Sequence, residues 1–443
     1  IKPKKAGVNP LKIKTLHLQH FRRFTDFRLP LHEQLTVLVA RNGAGKTSVL
    51  DGIATLLGAF LTRLPKVNGI NPKDNDFQVF ADSSKPAFMR LTAESFDGVS
   101  WDRTEKRDKS KKTAAQVPAA LGVKQLNDYV DAFIDAENAG LNYELPIFIY
   151  YGTGRGVFDV PQRKRDFANE FPRFDAFNGS LESKTNFKKF VEYFYYLEAQ
   201  EGKLQKEQRS FDVELPELKA IRRAIDLMMP TFSNPESVMP AGIQVDWLDD
   251  GIKKKLRIEQ LSDGFRTTLA MVMDIAARMA EANPQSFDPL ATTGIVLIDE
   301  VDLHLHPGWQ QHILLDLQRT FPNIQFIVST HSAQVISSVK PECLRVIDWQ
   351  EDAPSLLEID FSEGAEAQQV LLDVLGVHST RAEKLPIVQS LKKYQQLVED
   401  DQWDSPEAET LRQHLDEWGG EYEPELARLD MDIKIKAWER EQV

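Results

Sequence analysis

Apolar and polar positions along this chain follow two patterns that alternate. Residues 11–20 predict a first strand; after Phe21-Arg22-Arg23-Phe24, residues 35–39 are a short apolar run of the kind that fills a central strand. A glycine-rich turn follows, and residues 46–61 carry apolar side chains at helical spacing. Residues 87–95 and 99–103 predict two further strands, and residues 145–151 an apolar one. Between 161 and 240 the spacing turns helical, with Phe187, Val191, Phe194 and Tyr195 on one face and Leu218, Ile221 and Ile225 on another. From residue 258 the order is helix 263–279, strand 294–298, helix 307–321, strand 324–329, which is the order of an α/β protein with a parallel sheet. Beyond Phe361 the chain is charged and helical, with Trp403, Trp418 and Trp438 spaced along it; a small helical bundle and a partner-binding surface account for these equally well.

Composition narrows the class without naming a chemistry. Hydrophobic residues at 42% and charged residues at 27% are ordinary for a folded globular chain of 443 residues. No apolar run reaches the length of a membrane span, so a cytoplasmic location and no membrane contact are expected. The single cysteine, Cys343, is expected inside a buried strand and rules out a disulfide framework or a thiolate metal site. A net charge of -13 argues against coating nucleic acid through bulk positive charge. Local basic clusters at 106–112, 163–165 and 253–255 leave nucleic-acid contact open, with solvated loops as the default.

Chemistry enters at Ala40-Arg41-Asn42-Gly43-Ala44-Gly45-Lys46-Thr47, a P-loop in which Ala40 replaces the first glycine. Such a loop aims backbone N–H groups at phosphate oxygens and opens a helix whose positive end favours anions. Asn42, Gly43, Ala44, Gly45, Lys46, Thr47 and Ser48 are therefore expected to hold ATP, with Lys46 on the β- and γ-phosphates and Thr47 on Mg²⁺. A second signal is Gly294-Ile295-Val296-Leu297-Ile298-Asp299-Glu300, a buried strand ending in paired acids: Asp299 suits the Mg²⁺ site, and Glu300 suits orienting or deprotonating the attacking water. Leu261-Ser262-Asp263-Gly264 opens a helix, so Ser262 and the first-turn N–H groups, with Gly264, offer a second anion site. The strand at 324–329 leads into Thr330-His331-Ser332. His304 and His306 alternate as two metal ligands could, yet no third ligand is apparent.

These elements resemble, in order and spacing, the ABC/SMC-type P-loop ATPases. The resemblance implies a head with a β-rich flank: residues 1–160 and 241–360 its two halves, 161–240 a helical insertion, and 361–443 a helical C-terminal region. It implies that Ser262 and Gly264 complete the ATP site of an opposing copy, that Asp302 is the D-loop acid, and that His331 senses the γ-phosphate. His20-Phe21-Arg22-Arg23-Phe24 resembles the segment of SMC-type heads beside the nucleotide, which makes Arg22 and Arg23 candidate contacts. Gln78 is the candidate Q-loop residue, near nucleotide and Mg²⁺. Tyr150-Tyr151-Gly152-Thr153-Gly154-Arg155, together with the segment 298–307, is similar to the PtuA-like ATPases of Septu and certain retron systems. That family implies anti-phage defence, a homodimer or larger assembly closed on ATP, an HNH effector nuclease partner, and a reverse transcriptase with its msDNA. Two other readings compete: a RecF-like repair clamp that grips DNA directly, which predicts a basic patch on its closed surface, and a slowly hydrolysing ATP-bound scaffold, against which Glu300 speaks.

Overall fold

Strands composed almost wholly of apolar residues satisfy their backbones best in the middle of a sheet covered on both faces, and the computed structural model places them there. It describes residues 9–156, 171–184, 187–240, 242–351 and 353–442. In chain order the strands are β1 Ile13–Phe21, β2 Phe24–Pro30, β3 Leu35–Ala40, β4 Phe88–Ser95, β5 Ser100–Lys106, β6 Ile147–Tyr151, β7 Phe232–Val238, β8 Gly242–Asp249, β9 Ile252–Arg257, β10 Gly294–Ile298, β11 Ile324–Thr330, β12 Leu344–Gln350 and β13 Ala353–Leu357. The chain divides into a first unit up to Val370 and a second from Leu371.

The first unit is built on a sheet of order β13-β12-β3-β11-β10-β6, parallel throughout except for the antiparallel edge strand β13. Every residue of β3, β6, β10 and β11 is buried. Because these strands run parallel, the segments leaving β3, β11, β10 and β6 emerge side by side at one edge. Their spatial order departs from their chain order, and in open α/β sheets that reversal is where ligand crevices form. An antiparallel sheet of order β2-β1-β4-β5 forms the flank, and β7-β8-β9 is a separate meander. The buried helix Lys46–Arg63 follows β3; Trp101 of β5 donates its indole N–H to the Leu56 carbonyl of that helix, 3.1 Å away.

One buried amide ties the flank to the parallel sheet. Gln325, fully buried on β11, accepts from the Ile13 N–H at 2.8 Å and donates to the Ile13 and His32 carbonyls at 2.7 and 2.9 Å. Gln325→Leu keeps the volume but strands these backbone groups, each costing roughly 1–3 kcal/mol when left unpaired. The variant is expected to lose about 3 kcal/mol of stability, read from its denaturant midpoint; an unchanged midpoint would refute the staple.

Several local expectations are corrected. A strand, β2, follows Phe21-Arg22-Arg23-Phe24 directly, its Phe24, Phe27 and Leu29 buried and its Thr25, Asp26 and Arg28 facing solvent, a weak pattern because it lies at a sheet edge. The helical stretch before Pro240 supplies helices Lys188–Gln208 and Pro216–Met228, but then β7, whose polar sequence with a proline pairs across a bulge. The helix at 307–321 breaks into Pro307–Gln310 and Ile313–Thr320. Cys343 is buried in a short turn before β12, not within a strand. Lys253, Lys254 and Lys255 lie on β9 and pair with Asp246, Asp249 and Glu236, which removes the free charge a phosphate backbone would need. The cluster at 106–112 is exposed, and Arg163–Arg165 fall outside the described residues.

In the second unit, helices Pro386–Glu399, Pro406–Trp418 and Pro424–Gln442 enclose a core of Leu391, Tyr394, Val398, Ala408, Leu415, Leu426 and Leu429. Trp403 packs against that core under the Arg440 guanidinium, whereas Trp418 and Trp438 are exposed. Among the described residues no helix is long and apolar enough to cross a membrane.

Candidate active site

The turn after β3 is built around two left-handed glycines, Gly43 at φ 73° and Gly45 at φ 103°. A Cβ on Gly45 would sit 2.5 Å from the Phe24 ring, so position 45 needs glycine for both backbone and space. Ala40, where the motif ordinarily has glycine, ends β3 in a conformation outside the left-handed region, and alanine is tolerated there. Lys46 opens the helix and folds back over the turn, donating to the Ala40 carbonyl at 2.9 Å and meeting His331 Nε2 at 2.7 Å. Burial pulls the Lys46 ammonium below its ordinary pKa, against the pull of Asp299, Glu300 and Asp302. Burial and the adjacent Lys46 both draw His331 below its ordinary 6.5. In its neutral form His331 can accept from the lysine through Nε2.

At the end of β10, Asp299 is gripped by hydroxyls from its neighbours. Thr47 Oγ1 donates to Asp299 Oδ2 at 2.8 Å, and Ser329 Oγ donates to Oδ1 at 2.5 Å. Ser329 also accepts from the Glu300 N–H at 2.8 Å. Glu300 itself holds φ 49°, a left-handed backbone that costs a side-chain-bearing residue roughly 1–2 kcal/mol. Such strain persists only where the surroundings over-determine it.

These groups line a cleft of about 270 Å³ that gathers Arg22, Arg23, Asn42, Gly43, Gly45, Lys46, Thr47, Ser48, Asp299, Glu300 and His331. A larger open hollow of about 1390 Å³, around Tyr143, Arg173 and Phe287, lies toward the opposite ends of the strands, and the described residues around it do not repeat that set. Five expected residues stand outside the cleft lining. Ala44 uses its carbonyl to accept from the Trp349 indole at 2.9 Å. The Gln78 side chain is spent on His20, at 3.3 Å, and on Thr25, at 2.7 Å. Asp302 accepts from Thr330 Oγ1 at 2.6 Å. Ser262 is exposed at the N-terminus of helix Asp263–Ala282, and its side chain caps nothing there. Gly264 abuts the 302–306 segment so closely that a Cβ would lie 2.4 Å from the His304 carbonyl oxygen.

The arginines are held more firmly than their loop position suggests. Arg22 pairs with Asp51 at 2.6 Å and Asp76 at 3.0 Å; burial works against its charge, but the two carboxylates outweigh it and raise the pKa. Arg23 lies over the Trp349 ring, 3.4 Å from its centre, and donates to the Gly43 carbonyl. Asp51, Asp76, Ser329 and Trp349 have no place in the motif reading, and Arg155 enters it only as the end of the Tyr150–Arg155 segment, with no role at the cleft. Asp51 carries the one available signal, being a turn beyond Thr47 on the same helix.

For a divalent cation the donors are one hydroxyl and one carboxylate, Thr47 and Asp299, 2.8 Å apart. Hard oxygen donors in that number fit Mg²⁺, which takes the rest of its shell from phosphates and water. Among the described residues no group of three or more His, Cys, Asp or Glu could hold a metal. His306 instead caps its helix, accepting from the Gly308 N–H.

Residues 15–230 match the family described as "AAA domain", and residues 154–337 the family described as "AAA domain, putative AbiEii toxin, Type IV TA system". The "Retron Ec83 probable ATPase" of Escherichia coli is 27% identical over 97% of this chain and 88% of its own length. The "Retron Vc95 probable ATPase" of Vibrio cholerae is 27% identical over 92% of this chain and 88% of its own. The "Septu protein PtuA" of Bacillus mycoides is 46% identical over 76 residues, 17% of this chain and 10% of that protein.

Proposed function

We propose that this chain, an AAA-domain ATPase similar to those of retron and Septu systems, is the ATP-driven switch subunit of an anti-phage defence complex. Two copies close on ATP, and the closed state controls a partner effector nuclease of HNH type, with a reverse transcriptase and its msDNA as further partners. The observation that carries the switch is the cleft itself, where Lys46, Thr47, Asp299, Glu300 and His331 converge from three neighbouring strand ends. Backbone N–H groups of the Gly43–Gly45 turn and Lys46 cradle the phosphates; Glu300 orients the attacking water; His331 reads the γ-phosphate through Lys46. Thr47 and Asp299 would hold Mg²⁺, which supplies charge neutralisation at the phosphoryl oxygens when bound.

Closure as a pair is supported by the helix Asp263–Ala282. Ser262, exposed at its N-terminus with no cap bond from its hydroxyl, lies outside the lining of the chain's own cleft, as a residue serving a second copy's nucleotide would. The test is the mass of native protein and Glu300→Gln, with and without Mg-ATP. The variant is expected to accumulate as a doubled species with ATP, because a closed state that cannot hydrolyse cannot reopen. Equal masses under all conditions, with equal turnover, would sink the sandwich and leave the slow scaffold.

A further inference from the structure

The acids of the cleft stand on a bent peptide, Asp299-Glu300, that is held from two sides. On the β11 side Ser329 engages the Asp299 carboxylate and the Glu300 N–H. On the β6 side stands Arg155, buried to 2% exposure. Its Nη1 donates to the Asp299 carbonyl and its Nη2 to the Glu300 carbonyl, both at 2.6 Å, and Nη1 also reaches the Gly152 carbonyl of its own turn at 3.1 Å. That turn is itself anchored, since the Gly152 N–H donates to the Ser183 carbonyl at 3.2 Å.

A buried guanidinium is costly, and burial lowers the pKa of this one while the nearby Asp299, Asp302 and Glu300 raise it. All three of its hydrogen bonds go to main-chain oxygens, two of them on the residues that carry the reaction. An arginine kept only for ion pairing would put its fork on a carboxylate. Here the fork spans two successive carbonyls, and so fixes the two peptide units that flank Glu300, whose left-handed backbone places it in the cleft lining.

We propose that Arg155 is a positioning residue for ATP hydrolysis, locking the Asp299-Glu300 peptide so that the Glu300 carboxylate meets the attacking water at a productive angle. This rests on the reading of Glu300 as the water-orienting group. It predicts that Arg155 serves turnover rather than nucleotide affinity, and that its effect vanishes where Glu300 is already disabled.

The experiment measures steady-state turnover and binding of a fluorescent ATP analogue for native protein, Arg155→Ala, Arg155→Lys, Glu300→Gln and the double variant Arg155→Ala/Glu300→Gln. Misplacing a reacting group by about 1 Å costs on the order of 100-fold, so Arg155→Ala is expected to lose about 100-fold in kcat with KM and analogue affinity within about 3-fold. Lysine keeps the charge but cannot span two carbonyls, so Arg155→Lys should lose about 10-fold. The double variant should be no slower than Glu300→Gln alone. Losses that multiply in the double variant, or loss of affinity in place of kcat, overturn the proposal. Should the alanine variant fail to fold, Arg155→Lys decides, and native kcat there overturns it. Native turnover in Glu300→Gln would instead overturn the parent reading, and this one with it.

Discussion

Lys46→Ala is expected to lower kcat/KM for ATP by about 10³-fold, the loss that follows when a preorganised cation is removed from developing phosphoryl charge. Lys46 folds over the turn and joins the Ala40 carbonyl on β3 to His331 beyond β11. Without it the cleft retains Asp299 and Glu300 with less positive charge to balance them, and an anionic nucleotide meets a more negative wall. Both KM and kcat should therefore suffer. Analogue titration together with steady-state turnover separates the two, and native affinity in the alanine variant would show that phosphate is held elsewhere.

Glu300→Gln should behave differently, losing about 10³-fold in kcat while binding ATP with near-native affinity. The amide preserves shape and the backbone bonds through Ser329 and Arg155, which use main-chain atoms of residue 300. Only the carboxylate's ability to orient and deprotonate water is removed. Stopped-flow binding and a single-turnover assay separate the steps; a variant that hydrolyses at the native rate would move the general base to another group of the cleft.

Much of the parallel sheet was legible because its strands carry continuous apolar runs. Residues 294–298 and 324–329 read as buried strands, and β10 and β11 begin where the pattern does. Edge elements were less legible. β2 is a sheet-edge strand with an irregular alternation, and β7 is polar, contains a proline and gains its strand character from pairing with β8. Lys253 to Lys255 read as a basic cluster, since a sequence displays charge but not the Asp246, Asp249 and Glu236 partners that β7 and β8 bring alongside.

The site divides along the same line. Gly43, Gly45, Lys46, Thr47, Asp299 and Glu300 announce themselves locally, because phosphate binding demands a particular backbone and a particular side chain within a few positions of one another. Their order along the chain was enough to name the chemistry. Their meeting was not: β3, β11 and β10 become neighbours only through the strand order of the sheet. Gln78 shows the limit from one side, since its amide is taken by His20 and Thr25 across a fold that no spacing reveals. Arg155 and Trp349 show it from the other. Their partners here are main-chain carbonyls, of Asp299 and Glu300 for one and of Ala44 for the other, and a carbonyl is the same at every residue, so such contacts leave no mark in sequence until tertiary structure brings the chains of atoms together.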